Sequence, residues 1–148
     1  MHIYVDADAC PVKDEIYKVA GRYKLDVTLV ANSWMRTPNL RRVRLEVVTE
    51  SFDAADDWIV ENAGPEDIVI TADIPLAARC IAKGAAVLAP TGKPFTEEAI
   101  GDVLASRNLM NDLREAGVVT GGPPPFRQKE RSRFLQGLDR IIQMKRRL

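Results

Sequence analysis

Asp6 and Asp8 follow directly on an apolar run, Ile3-Tyr4-Val5, in the opening stretch HIYVDADACP. Asp73 closes a second such run, DIVITA, and Asp53, Asp56 and Asp57 crowd the start of FDAADDWIVEN. Carboxylates accept protons, attack electrophiles and ligate hard cations, so several together point to phosphate or metal chemistry. On a helix, positions 53, 56 and 57 are three and four apart and share a face. Two carboxylates about 4 Å apart repel by roughly 4 kcal/mol at an effective dielectric near 20. A divalent cation relieves that repulsion, and oxygen-only ligation selects magnesium or manganese over zinc. Asp6, Asp8, Asp53, Asp56, Asp57 and Asp73 are therefore the acids among which catalytic groups and metal ligands are to be sought.

Each acid also has a plainer role open to it. Asp8 and Asp73 stand where a helix cap is expected, Asp53 is a good N-cap, and Asp56 in a first helical turn favours the helix macrodipole. Other chemistries are excluded or disfavoured. His2 is the one histidine, so there is no histidine relay or multi-histidine metal site. Cys10 and Cys80 are too few and too far apart for a disulfide framework or a zinc site. A helix start would favour a Cys10 thiolate, but Asp6 and Asp8 oppose the anion, so both cysteines read as packing residues.

The elements that must position these acids follow from periodicity. Ile3–Val5 is a short buried strand, and Asp6 stands at its carboxyl end. A helix follows from Val12 to Tyr23, then a strand from Asp26 to Ala31 and a polar loop from Asn32 to Leu40. A third strand spans Leu45 to Thr49, reached by a connection shorter than a helical crossover normally needs. A helix from Phe52 to Asn62 stops at Gly64-Pro65, and a fourth strand runs from Asp67 to Ala72. A helix from Pro75 to Lys83, a strand from Ala85 to Ala89 and a turn at Pro90–Pro94 come next. Thr96 caps a helical region reaching Ala116, TGGPPP is a rigid turn, and a basic helix occupies about 127–146. Alternating strands and helices predict a three-layer α/β/α sandwich with a mostly parallel five-stranded sheet. Such sheets bind ligands at the carboxyl edge, where Asp6, Asp8 and Asp73 all fall, whereas Asp67 precedes its strand and sits at the opposite edge.

The chain has 148 residues, 46% hydrophobic and 28% charged, with zero net charge, which fits one globular domain over 1–148. The charge is segregated. Residues 36–44 carry 4 basic and no acidic side chains, residues 45–73 carry 9 acidic and no basic ones, and residues 126–148 carry 8 basic against 2 acidic. Arg36, Arg41, Arg42, Arg44, Arg127 and Lys129 are candidate phosphate contacts, with Arg131 and Arg133 beside them. Trp34 and Phe126 are placed to stack on unpaired bases. Trp34 folded onto the core and a merely solubilising last helix are the alternatives. No run approaches the roughly 20 apolar residues of a membrane span, and a signal peptide would need basic residues where Asp6 and Asp8 stand. A cytoplasmic protein without membrane contact is the expectation.

The stretches HIYVDADACPVK, VANS, FDAADDWIVE, DIVITADIPLAARCIAKGA and GGPPPF resemble the YaiI/YqxD family of bacterial proteins, through most of the chain. That family is grouped with PIN-like domains, a three-layer α/β fold of metal-dependent ribonucleases. The resemblance implies a divalent-metal-dependent nuclease, with RNA as partner before DNA and magnesium or manganese as cofactor. It places the PIN-like acids at Asp6, at Asp53 or Asp56, and at Asp73, with Asp8 belonging to the family's own Asp-Ala-Asp-Ala-Cys-Pro motif. Two rivals stand beside it. A phosphatase of the haloacid dehalogenase type would use Asp6 as nucleophile and Asp8 as acid/base, but its signature continues with Thr or Val where Cys10 stands. A non-catalytic nucleic-acid- or protein-binding module would keep only a structural cation.

Overall fold

The computed structural model describes residues 1–51, 53–98, 100 and 127–147. Strand β1 (His2–Asp6) lies at the centre of the sheet and runs into a short 3-10 turn, Ala7–Ala9. Helix α1 (Lys13–Tyr23) leads to β2 (Asp26–Ala31), and β3 (Val43–Val47) follows without an intervening helix. Helix α2 (Ala54–Asn62), β4 (Ile68–Ile70), α3 (Ile74–Ala82), β5 (Ala86–Leu88), β6 (Pro94–Phe95) and α4 (Gln128–Arg146) complete the described order. The strands lie in the sequence β3-β2-β1-β4-β5-β6, parallel except for the β5–β6 pair.

Alternation along each strand divides the apolar residues between two helical layers. Ile3, Val5, Val27, Leu29, Ile68, Ile70 and Leu88 face α1 and α4, which contribute Ile16, Val19, Phe134, Leu138 and Ile142. Tyr4, Val30, Val69 and Val87 face α2 and α3, which contribute Ala55, Ile59, Leu76, Ala77 and Cys80. The architecture is thus a three-layer α/β/α sandwich around a mostly parallel sheet. At the amino edge Asp67 accepts hydrogen bonds from the His2 N–H at 3.1 Å and the Gly64 N–H at 3.0 Å, a bracing role remote from the other acids. Cys10 and Cys80 are buried free thiols, and burial pushes both pKa values up, so they are packing groups.

Two details differ from the pattern read off the sequence. The sheet has a sixth strand where only a turn was expected, because Pro94–Phe95 adds antiparallel to β5. A two-residue strand shows no alternation, and Pro94 can join only at an edge. Strand β3 begins two residues earlier than the apolar run suggests, taking in Arg44, whose side chain is exposed at the sheet's edge. The helix expected from Thr96 is visible in its first turn, where the Ile100 N–H donates to the Thr96 carbonyl at 2.8 Å. Its continuation to Ala116, the TGGPPP turn and Phe126 lie outside the described residues.

Candidate functional site

Chain direction around β1 creates the crevice. The order runs outward through β2 to β3 on one side and, after α2, through β4 to β5 on the other. Neighbouring connections therefore diverge between β1 and β4, and ligands of open α/β sheets bind at the carboxyl side of such a switch point. Asp6 ends β1 there, and the residues after β4 are Thr71, Ala72 and Asp73.

Thr71 joins the two halves. Its hydroxyl donates to Asp6 Oδ2 at 2.8 Å and accepts the Asp73 N–H at 3.0 Å. It is 1% exposed, a buried hydroxyl whose donor and acceptor are both occupied. Sequence reasoning missed it. The available signal was a lone hydroxyl closing an apolar strand, two residues before an aspartate.

Asp73 is the N-cap of α3: its Oδ1 accepts the Leu76 N–H at 2.9 Å, and Pro75 occupies the first turn. The cap engages one carboxylate oxygen and leaves acceptor capacity on the group. Asp53 holds the N-cap position of α2 but makes no side-chain cap bond, so capping does not account for it. Asp56 lies in the first turn of α2. Burial comes first among the causes that push its carboxyl up to about 6, followed by the charges of Asp6, Asp73 and Asp53, with Arg79 opposing. Asp6 is also raised, first by burial and then by Asp73 and Asp8, while the Thr71 hydrogen bond works against the rise. Asp6, Asp73 and Asp53 thus lie near enough to Asp56, and Asp73 and Asp8 near enough to Asp6, for their charges to bear on it. Asp57 is diverted to Arg79, at 2.9 Å on the surface.

Asp8 does not cap α1, whose N-cap is Val12. Instead Asp8 Oδ2 accepts the Asn32 N–H at 2.9 Å and ties the loop after β1 to the loop after β2. Trp34, 75% exposed, and the exposed Arg36 lie a few residues along that second loop. Arg41, Arg42 and Arg44 are carried elsewhere. A strand parallel to β2 must start at the amino edge, so Arg42 and Arg44 line a cavity there of about 280 Å³ with His2 and Asp26. Arg42 pairs with Asp26 at 3.3 Å. Arg127 and Lys129 belong to the start of α4. Arg131 donates to the Pro11 carbonyl at 2.8 Å and to Glu15 at 3.1 Å, setting the start of α4 beside the start of α1.

Among the described residues no three His, Cys, Asp or Glu side chains are grouped to hold a metal ion by themselves. The donor chemistry is that of a hard cation's ligands: carboxylates raised first by burial and then by one another's charge at Asp6 and Asp56. Among the described residues no helix is long and apolar enough to cross a membrane.

The chain is 58% identical over 146 residues to a UPF0178 protein of Paramagnetospirillum magneticum, covering 99% of this chain and 97% of that one. A UPF0178 protein of Rhodopseudomonas palustris (strain BisB18) is 59% identical over 140 residues, covering 95% and 90%. One of Nitrobacter winogradskyi is 56% identical over 147 residues, covering 99% and 94%. No solved structure matches the chain. The family described as "Uncharacterized BCR, YaiI/YqxD family" matches residues 4–144, a span that takes in every acid of the switch point, and the chain belongs to that family.

Proposed function

We propose that the carboxyl edge between β1 and β4 is a divalent-metal-dependent phosphodiester hydrolysis site acting on RNA. The observation that carries this reading is the placement of Asp6 at the switch point, held by Thr71 and electrostatically coupled to Asp73, Asp8 and Asp56. One or two of Asp6, Asp73, Asp56 and Asp53, with waters completing the shell, would hold magnesium or manganese, which supplies charge neutralisation at a phosphate and a more acidic bound water. Thr71 fixes the Asp6 carboxylate so that it needs little reorganisation on loading. Asp56, which burial and then the charges of Asp6, Asp73 and Asp53 push up to about 6 without a cation, would give up its proton when one binds beside it. Arg127 and Lys129 at the start of α4, with Arg36, would bind phosphates flanking the scissile one, and Trp34 would stack on an unpaired base. RNA as substrate class rests on the resemblance to PIN-like ribonucleases.

The test is incubation of the purified protein with mixed single-stranded RNA and manganese or magnesium, with EDTA and Asp6→Asn as controls. Cleavage by the wild type alone, and only with the cation, is the expected result. Melting in the same buffers separates chemistry from binding, because a cation bound at 100 times its Kd stabilises by about 2.7 kcal/mol. A cation-induced rise in Tm without cleavage would leave a binding module. Neither a rise nor cleavage would remove the metal reading. Trapped aspartyl-phosphate on Asp6 would favour the phosphatase, a role that the engagement of Asp8 with Asn32 makes less suited to this loop.

A further inference from the structure

Strand β3 ends the sheet, and among the described residues it pairs on one side only, with β2. In its ladder the Val27 N–H donates to the Arg42 carbonyl at 2.8 Å and the Val48 N–H donates to the Ala31 carbonyl at 2.9 Å. Residues 42, 44, 46 and 48 therefore turn their backbone groups toward β2, and Val43, Leu45 and Val47 turn theirs outward. The Val43 N–H is taken by the Leu40 carbonyl at 3.2 Å, which leaves the Leu45 and Val47 N–H groups and the three carbonyls at the rim. Edge strands are normally blunted by proline, lysine, a bulge or inward charge. Val43-Arg44-Leu45-Glu46-Val47 has none of the first three, and its charges are arranged symmetrically about Leu45.

We propose that a second copy of this chain pairs antiparallel with β3 about a two-fold axis at Leu45, joining two sheets edge to edge. In that register the Leu45 residues exchange both backbone hydrogen bonds, and each Val47 N–H donates to the Val43 carbonyl of the other copy. Arg44 stands directly opposite Glu46 of the second copy, and Glu46 opposite its Arg44. These are non-hydrogen-bonded positions, where Cα atoms approach to about 4.5 Å and side chains are closest. Moving the axis one residue to Arg44 sets arginine against arginine, and moving it to Glu46 sets glutamate against glutamate. The charges thus select one register and reject its neighbours. On the opposite face Val43, Leu45 and Val47 form an apolar row: the first two are half-buried against the α1 side of the core and Val47 is 39% exposed. Pairing continues that row across the axis, Val43 against Val47 and Leu45 against Leu45. The surface is isologous, so it closes at two copies, with the two acidic edges facing opposite ways.

Sedimentation of the full chain across a dilution series tests this, with circular dichroism and melting to confirm that each variant is folded. The wild type should sediment as a dimer at the concentrated end. Arg44→Glu alone, and Glu46→Arg alone, should each weaken association by about tenfold or more, because like charges then face each other twice per dimer. An equimolar mixture of these two variants should form a heterodimer, since each supplies the sign the other lacks, and the double variant should restore the homodimer. A wild type that is monomeric throughout, or single variants that dimerise as well as the wild type, would overturn the proposal.

Discussion

At the scale of single residues, Asp56 is, with Asp6, a group through which pH acts on the metal-free protein. Its carboxyl titrates near 6 when folded, against 3.8 for an ordinary aspartate, because it is partly buried and faces Asp6, Asp73 and Asp53. A raised carboxyl pKa means that the folded state holds the proton more tightly than the unfolded chain does. The stability it contributes is therefore complete below about pH 4 and is lost as pH rises through about 6. Discounted for partial exposure and solvent screening, the effect is about 1 kcal/mol. In EDTA at pH 7, Asp56→Asn should raise Tm by about 2–4 °C. At pH 4 the two proteins should melt alike. Melting curves that run parallel at both pH values would show that Asp56 is not under electrostatic strain.

At the scale of elements, Asp73 serves two masters, and two substitutions separate them. As N-cap of α3 it can be replaced by asparagine, which caps about as well, whereas alanine loses the Leu76 bond and about 1 kcal/mol. Asp73→Asn should therefore melt close to the wild type while losing most of the cation-induced rise in Tm, and Asp73→Ala should lose both. An Asp73→Asn protein that still gains the full rise would reduce Asp73 to a cap. The cap was readable in Asp73-Ile74-Pro75, and β1 (His2–Asp6) was readable to within a residue at each end, because a buried parallel strand is a continuous apolar run. The fate of the arginines was harder to read. Arg36 to Arg44 look like one basic patch, yet the parallel direction of β3 carries Arg42 and Arg44 to the amino edge and leaves Arg36 behind. That consequence lies in strand direction, which periodicity does not encode. Strand β6 was illegible for a different reason, being defined by what it pairs with across space, and the hydroxyl of Thr71 was visible in the sequence while its bridge to Asp6 was not.

At the scale of the whole molecule, α4 closes the α1 face, and two glycines set how closely it can lie. A Cβ on Gly137, within α4, would stand 2.9 Å from the Gly92 carbonyl, and a Cβ on Gly92 would meet the Arg133 backbone at 2.7 Å. Gly92 also has φ +92, a conformation other residues rarely adopt. The helix therefore rests against the turn between β5 and β6 backbone to backbone, and its Phe134, Leu138 and Ile142 reach full burial at that separation. In a free helix interior, alanine is better than glycine by about 1 kcal/mol. Gly21 in α1 has nothing within 4 Å of a Cβ, so Gly21→Ala should raise stability by about that amount. Gly137→Ala should do the reverse. The same propensity gain is opposed by a clash with backbone that cannot rotate away, and overpacking of this kind costs about 1–3 kcal/mol. Denaturant titration of the two variants should thus move their midpoints in opposite directions from the wild type. Were Gly137→Ala stabilised as Gly21→Ala is, α4 would not be seated against the β5–β6 turn through this contact.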